Sequence, residues 1–273
     1  MRPAKDAGPY HAKSCVIIDL TAVILTKNEE ANIGRCLERL KWVPRVLVVD
    51  SGSTDGTERI AKSFPNVTWV LRPFDSFAGQ CNHALGLLKS EWVLSMDADY
   101  ILTDGVIKEI SQLRPGPEVC CYTASFIYCI GGKPLRGTLY QRGGPVLYLR
   151  AKCHYVDLGH GHAARVDGQT KALAGKILHD DRKSMERWTA NQRAYAIREA
   201  EYLAGPEPRE GWGLTDRFRR VGWVMPVLVP IYTLLMKGLI LDGRAGWEYV
   251  RQRTYAEWVM AKEVRKRLRC SLR

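Results

Sequence analysis

The stretch Leu94-Ser95-Met96-Asp97-Ala98-Asp99-Tyr100 ends an apolar run on two carboxylates with one alanine between them. Hard divalent cations such as Mg²⁺ take oxygen ligands and commonly keep coordination positions for substrate phosphates, so an Asp-x-Asp pair suits metal-assisted chemistry on a phosphorylated compound. As a bare motif it is weak, and its position gives it weight. Two further polar clusters stand in comparable places: Thr26, Asn28 and Glu29 after one apolar run, and Asp50 to Asp55 after another. Later in the chain His179, Arg182 and Lys183 form a compact cationic or metal-binding set suited to a pyrophosphate.

The elements that must hold these residues can be read from periodicity. Leu20–Leu25 reads as a strand buried on both faces, and Ile33, Cys36, Leu37 and Leu40 then recur at helical spacing. Val46–Val49 is the next strand, and a turn-rich segment leads into a helix from Thr57 to Phe64. Val67–Leu71, a helix over Phe77–Lys89 and the strand Glu91–Met96 complete four strand–helix repeats, which predict a mostly parallel, doubly wound sheet. In such sheets ligands bind beyond the carboxyl ends of the strands, and every polar cluster named above falls at one. Helix N-capping would account for one residue at each end, not for pairs or triplets.

Composition narrows the class. The chain has 273 residues, 46% hydrophobic and 26% charged, as expected of a globular protein. Its net charge of +12 lies entirely in residues 101–273, which hold 29 basic against 17 acidic side chains. No zinc finger, RNA-binding aromatic signature or compact basic helix accompanies that charge, so nucleic acid is not the expected partner. Neither G-x-x-x-x-G-K-[ST] nor G-x-G-x-x-G occurs, which disfavours a kinase or a dehydrogenase. The eight cysteines lack a C-x-x-C pair and read as reduced thiols, and the first residues lack an apolar signal region, so a cytoplasmic setting is expected.

Three motifs in order, TAVILTKNEEANIGRCLERL, VLVVDSGSTDGTERIA and QCNHALGLLKSEWVLSMDADY, resemble the nucleotide-sugar-binding half of family 2 glycosyltransferases, which have the GT-A fold. The resemblance covers about residues 20–110. It implies an α/β, Rossmann-like, mostly parallel sheet with helices on both faces, binding a nucleotide-diphosphate sugar (a UDP-sugar by default) with Mg²⁺ or Mn²⁺. It implies that Thr26, Asn28, Glu29, Asp50, Ser53 and Asp55 surround the base and ribose, that Gln80 and Asn82 line the same crevice, that Asp97 sits by ribose and metal, and that Asp99 ligates the metal. More narrowly the chain is similar to lipopolysaccharide-core enzymes, through Gly161-His162-Ala163, Gly168 to Leu173 and Ile177-Leu178-His179. Ala163 stands where those relatives carry an acid, which leaves the catalytic base open among Asp157, His160, His162 and Asp180, with Asp157 and His162 favoured. Arg182 and Lys183 would face the diphosphate, and His179 would join Asp97 and Asp99 at the metal. Arg187-Trp188 lacks the glutamine of the processive Q-x-x-R-W motif, which favours addition of a single sugar.

The expected organisation is an N-terminal extension over 1–19, a GT-A domain over 20–205 (nucleotide half 20–115, acceptor half 116–205), and a helical, basic appendage over 206–273. Residues 221–241 are apolar but carry Pro226, Pro230 and Lys237, and arginines flank them. The segment suits either a helix at a bilayer interface or a buried packing face. A final helix over about Gly246–Leu268 is predicted to place Trp247, Val250, Thr254, Trp258, Ala261, Val264 and Leu268 on one stripe. The expectation is an inverting transfer to a lipid-linked or saccharide acceptor at the cytoplasmic face of a bacterial inner membrane. The alternatives are a polyprenyl-phosphate glycosyltransferase, and a catalytically silent, membrane-associated nucleotide-sugar-binding protein.

Overall fold

The computed structural model describes residues 19–139, 143–158, 161–205 and 213–271. The first half alternates strand and helix as expected: β1 (Leu20–Thr26), α1 (Ile33–Glu38), β2 (Arg45–Asp50), α2 (Thr57–Ala61), β3 (Val67–Leu71), α3 (Phe77–Leu87) and β4 (Trp92–Asp97). Then come β5 (Tyr100–Leu102), α4 (Asp104–Ser111), β6 (Val119–Ile130), β7 (Lys133–Pro134), β8 (Pro145–Leu149), β9 (Cys153–Leu158), β10 (Gly161–Val166) and β11 (Gln169–His179). Four helices follow: α5 (Met185–Leu203), α6 (Leu214–Val221), α7 (Val224–Ile231) and α8 (Gly243–Ser271).

The sheet order is β3-β2-β1-β4-β8-β6-β11-β5, with β7 on β6 and the β9–β10 hairpin separate. Pairing is parallel across β3-β2-β1-β4, as predicted. Beyond β4 it is mixed, with β8 antiparallel to both β4 and β6, and β5 antiparallel to β11. The second half keeps one parallel pair, β6 with β11, among these antiparallel ones.

Period-two alternation sorts the strands onto two faces. Leu20, Ala22, Ile24, Val46, Val48, Leu94 and Met96 pack with α1, α2 and α4. Val23, Leu47, Val49 and Val93 pack with α3, Tyr148 and Tyr155. Helices thus cover both faces.

The periodicity did not show β11. Its sequence, QTKALAGKILH, is rich in residues of low strand propensity. It forms because β6 and β5 offer pairing edges on either side, with a bulge between Ala172 and Lys176.

Helix α5 begins one residue after Ser184, whose hydroxyl accepts from the Arg187 N–H, and it packs on α8 through Ala196, Ala200, Leu203, Val259, Met260 and Val264. The α8 stripe differs from prediction. Val250, Ala261 and Val264 are buried, whereas Trp247 and Trp258 face outward among basic side chains.

Candidate active site

Between the α3 face of the sheet and α3 itself lies a cavity of about 590 Å³, opening over the carboxyl ends of β1, β2 and β4. Its walls follow from the alternation just described. Val23, Leu25, Ser95 and Asp97 are the sheet residues on the α3 side, and Phe77, Gln80, Cys81 and Leu85 face them from the helix. Tyr148 and Tyr155 close the floor, their hydroxyls 2.9 Å apart. β4 ends at Asp97, and in the two-residue turn Ala98–Asp99 that leads to β5, Ala98 packs in the opposite core while Asp97 and Asp99 both line the cavity.

The Asp-x-Asp step is held from the second half of the chain. His179 is paired with Tyr100 across β11–β5, and the Asp180 N–H donates to the Asp99 carbonyl at 3.0 Å. The His179 imidazole consequently reaches Asp99 Oδ2 at 3.2 Å. Burial works against the charged imidazole, but the hydrogen bond and charge of Asp99, with Asp97 and Asp181 behind it, hold its pKa above the ordinary value.

Lys183 sits 2.9 Å from Glu29, 3.1 Å from Asp181 and 4.0 Å from Asp99. Its burial opposes ionisation, and the three carboxylates outweigh that and raise its pKa. Burial raises the pKa of Glu29, with Lys183 and Asn32 offsetting part of the effect. Arg35 joins Asp180 at 2.7 Å and Asn32 donates to Asp181 at 2.9 Å, so this charged network ties α1 to the segment after β11.

The β2 loop spends most of its predicted ligands on itself. Asp50 is buried, accepts from Gly52 N and Ser53 N at 2.7 Å and from Thr26 Oγ1 at 3.0 Å, and Ser53 Oγ donates to it at 2.5 Å. Gly52 has φ +86°, which makes room for the two N–H groups to converge on one carboxylate. Asn28, at φ 56°, accepts from Thr54 N, and its own N–H donates to Ser53 Oγ. Asp55 accepts from Thr57 N and Oγ1. Burial opposes the ionised form of Asp55, and those hydrogen bonds together with Arg187 overcome it and lower the pKa. Of this group Thr26 and Glu29 line the cavity, while Asn28, Asp50, Ser53 and Asp55 shape the loop at its rim.

Gln80 lines the wall and is buried. Its amide N donates to Ser51, Arg72 and Pro73, and Oε1 lacks a hydrogen-bond partner among the described residues. Asn82 is elsewhere: its side-chain amide clamps the N–H and carbonyl of Tyr155 at 2.9 Å each, so it holds β9 rather than facing the cavity. Asp180 is buried between Arg35, Arg182 and the Gly132 N–H, a structural position rather than that of a base. Arg182 faces Asp180 in the same way.

Asp157 and His162 are directly opposite in the β9–β10 ladder, and Asp157 accepts from Ala78 N at 3.3 Å in the first turn of α3. Asp157 is not among the described residues that line the cavity. His160 and the His162 side chain lie outside the described residues. Among the described residues no three His, Cys, Asp or Glu groups are gathered as a ready metal cluster; Asp97 and Asp99 supply oxygens, with His179 adjoining.

Sequence reasoning missed Lys27, Ser51, Phe74, Phe77 and Arg198, which also line the cavity. Lys27 adjoins residues that were identified and donates to the Ser51 and Gly52 carbonyls. Arg198 comes from the polar face of α5, where local sequence carries no signal. It missed Arg187 as well, whose guanidinium holds the Lys27 and Asn28 carbonyls.

Comparison with known proteins identifies the family. Residues 21–152 match Glycosyl transferase family 2. A relative in Rhizobium meliloti (strain 1021), the lipopolysaccharide core biosynthesis glycosyltransferase LpsC, is 37% identical over 203 residues, which is 70% of this chain and 75% of that one. The chain belongs to glycosyltransferase family 2. It is a glycosyltransferase with the α/β, GT-A fold expected of that family, followed by a helical C-terminal region. Among solved structures, the mannosyltransferase PcManGT of Pyrobaculum calidifontis, in complex with GDP-Man and Mn²⁺, aligns over 90% of this chain and 87% of its own at 15% identity, TM-score 0.48. TarS 1–349 of S. aureus in complex with UDP-GlcNAc aligns over 91% and 92% at 14% identity, TM-score 0.47.

Proposed function

We propose that this family 2 glycosyltransferase transfers one sugar, with inversion, from a nucleotide-diphosphate sugar to a lipid-linked or saccharide acceptor in lipopolysaccharide or cell-envelope polysaccharide synthesis, at the cytoplasmic face of the membrane. The observation that carries the reading is the cavity at the strand ends, with Asp97 and Asp99 facing it and His179 and Lys183 bracing Asp99 from behind. The relative LpsC supplies the lipopolysaccharide assignment. A UDP-sugar remains the expected donor.

In this reading residues 20–115 hold the nucleotide and 116–205 the acceptor. Thr26, Ser51 and Gln80 form the wall for base and ribose. The unsatisfied Gln80 Oε1 costs about 1–3 kcal/mol while buried without a donor, which an N–H of the bound base would offset. Asp97 and Asp99, with His179 beside them, would hold Mg²⁺ or Mn²⁺, and two protein carboxylates are enough for a cation that keeps positions for water and phosphate. When bound, the cation neutralises the diphosphate and stabilises it as a leaving group. Lys183 and Arg198 add positive charge at the cavity, Arg198 directly at its wall.

The acceptor hydroxyl must lose a proton on the side of the sugar opposite the diphosphate, and the β9–β10 hairpin carrying Asp157 and His162 packs against α3, a wall of the same cavity. Asp157 already accepts a backbone hydrogen bond and stands off the cavity lining, which favours the second reading, an ionised polyprenyl-phosphate acceptor that needs no base. The deciding experiment incubates the protein with a panel of nucleotide sugars and Mn²⁺, follows nucleotide release and transfer, and repeats it with Asp157→Asn and His162→Ala. A hydroxyl acceptor predicts a fall of about 10²–10⁴-fold in transfer for the residue acting as base, with donor binding retained. Unchanged transfer in both variants selects the phosphate acceptor. Binding of nucleotide with no turnover of any donor would overturn the enzymatic reading in favour of a silent binder.

A further inference from the structure

The C-terminal region presents a surface that the active-site reading does not use. Helix α7 and the π-helical turn Tyr232–Met236 turn one side inward, through Val229 and Thr233 with Leu239 just beyond, α6 buries no residue, and all three leave apolar side chains bare. Leu214 and Val221 on α6, Val227 on α7, Leu235 and Met236 on the π turn and Leu241 after it are each more than half exposed, Met236 at 76%. Water-facing apolar side chains in such number on neighbouring elements are unusual for a free surface.

The neighbouring helix says what covers them. On α8, Trp247, Arg251, Trp258, Lys262, Arg265 and Arg269 recur at spacings of three, four and seven, all exposed, so one outer stripe over roughly 33 Å of helix consists of tryptophan and basic residues. The stripe meets the apolar patch at both ends. Arg265 stacks over Trp223, between α6 and α7, at 5.4 Å, and Leu241 precedes Arg244 and Trp247 directly in the chain. Lys262 lies 5.6 Å over the Trp258 ring, and Lys237 5.7 Å over Tyr232. Rings with an apolar body and a polar edge, beside long cations, suit the headgroup level of a bilayer.

We infer that this face, α6, α7 and the π turn together with the outer stripe of α8, docks in the plane of a bilayer rich in anionic lipid, the apolar side chains entering the acyl boundary and the basic stripe meeting the headgroups. The charge favours an anionic surface, since the chain carries a net +12. Adjacent apolar exposure separates it from a nucleic-acid site. The face lies along the bilayer rather than crossing it. Among the described residues no single helix is long and apolar enough to span, and the segments Val224–Met236 and Leu239–Arg269 are bent by 72°. The inference deepens the proposal of a membrane-face enzyme, and it stands on a surface distinct from the cavity.

Flotation of the full chain with vesicles of phosphatidylcholine alone, or with phosphatidylglycerol added, tests it. The protein is expected to float with the phosphatidylglycerol vesicles, and less so as salt rises. Leu235→Asp with Met236→Asp should abolish flotation, and Lys262→Ala with Arg269→Ala should weaken binding to the anionic vesicles by roughly fivefold per charge removed. Thermal unfolding and Mn²⁺-supported UDP binding, unchanged in both pairs, show that the fold is intact, and quenching of tryptophan fluorescence by brominated lipid reads insertion without any variant. Failure to float with phosphatidylglycerol overturns the inference. So does a concentration-dependent dimer lost with the Leu235/Met236 pair, which assigns the face to a second copy, or tighter retention by single-stranded DNA than by vesicles. Flotation without nucleotide release from any donor would leave this surface standing and sink the enzymatic reading alone.

Discussion

His179 Nε2 stands 3.2 Å from Asp99 Oδ2, joining the end of β11 to the Asp-x-Asp step across 80 residues of chain. Asp99→Asn should abolish Mn²⁺-supported binding of UDP while leaving the fold intact, because an amide is a poor ligand for a hard cation. His179→Ala should lower Mn²⁺ affinity by about 10–100-fold, as loss of a group that orients a ligand does. Calorimetric titration of metal with and without nucleotide, alongside circular dichroism, reads both.

Lys183 is nearly buried and balances Glu29 and Asp181. Lys183→Met should cost about 3–5 kcal/mol in denaturant unfolding, since it strands buried carboxylates, and adding Glu29→Gln should restore part of that loss. Equal destabilisation in the single and double variants would show that the pair is not coupled.

Gln80→Met removes the buried acceptor without removing bulk. Nucleotide binding should weaken by about 1–3 kcal/mol, and unfolding stability should fall by a similar amount, because the variant also loses the amide that donates to Ser51, Arg72 and Pro73. Isothermal titration with UDP measures the first and urea denaturation the second.

Asn82→Ala should act on stability and on acceptor chemistry rather than on donor affinity. Its two hydrogen bonds to the Tyr155 backbone fix β9 against α3, and their loss should cost about 1–3 kcal/mol. A fall in nucleotide affinity with unchanged stability would contradict the clamp.

Burial opposes ionisation of Asp180, and its hydrogen bonds and charge pairing with Arg182 and Arg35 nevertheless depress its pKa below the usual 3.8. A depressed carboxylate contributes stability that is fully present above its unfolded value and is lost as pH falls through the folded one. Wild-type stability should therefore hold through neutral and mildly acidic pH and lose this contribution below about pH 4, with Asp180→Asn flattening that part of the profile. Stability that declined on the alkaline side through this residue would refute the assignment.

The first hundred residues were legible because their information is local. Apolar runs of strand length, helical spacing after each, and polar clusters at the strand ends were enough to predict the parallel β3-β2-β1-β4 half and the rim of the cavity. Which of those polar residues face the cavity was not legible. Asn82 lies two residues from Gln80 on α3, yet it turns to Tyr155, because the β9–β10 hairpin arrives from 73 positions later. Asp50, Ser53 and Asp55 fit a donor pocket by type, but the loop geometry uses them to satisfy its own N–H and O–H groups.

The sequence by itself determined the α/β frame and the placing of Asp97 and Asp99 at and just beyond the end of β4, since both follow from the order of apolar runs and the polar break that ends each one. Only the tertiary structure decided that Lys183 joins His179 beside Asp99 and balances Glu29 and Asp181, that Asp180 is locked between arginines, and that Trp247 and Trp258 face outward with basic neighbours. Those outcomes depend on pairings between distant segments, β11 with β5 and α8 with α5, whose register is set by packing and charge balance in three dimensions and leaves no periodic trace along the chain.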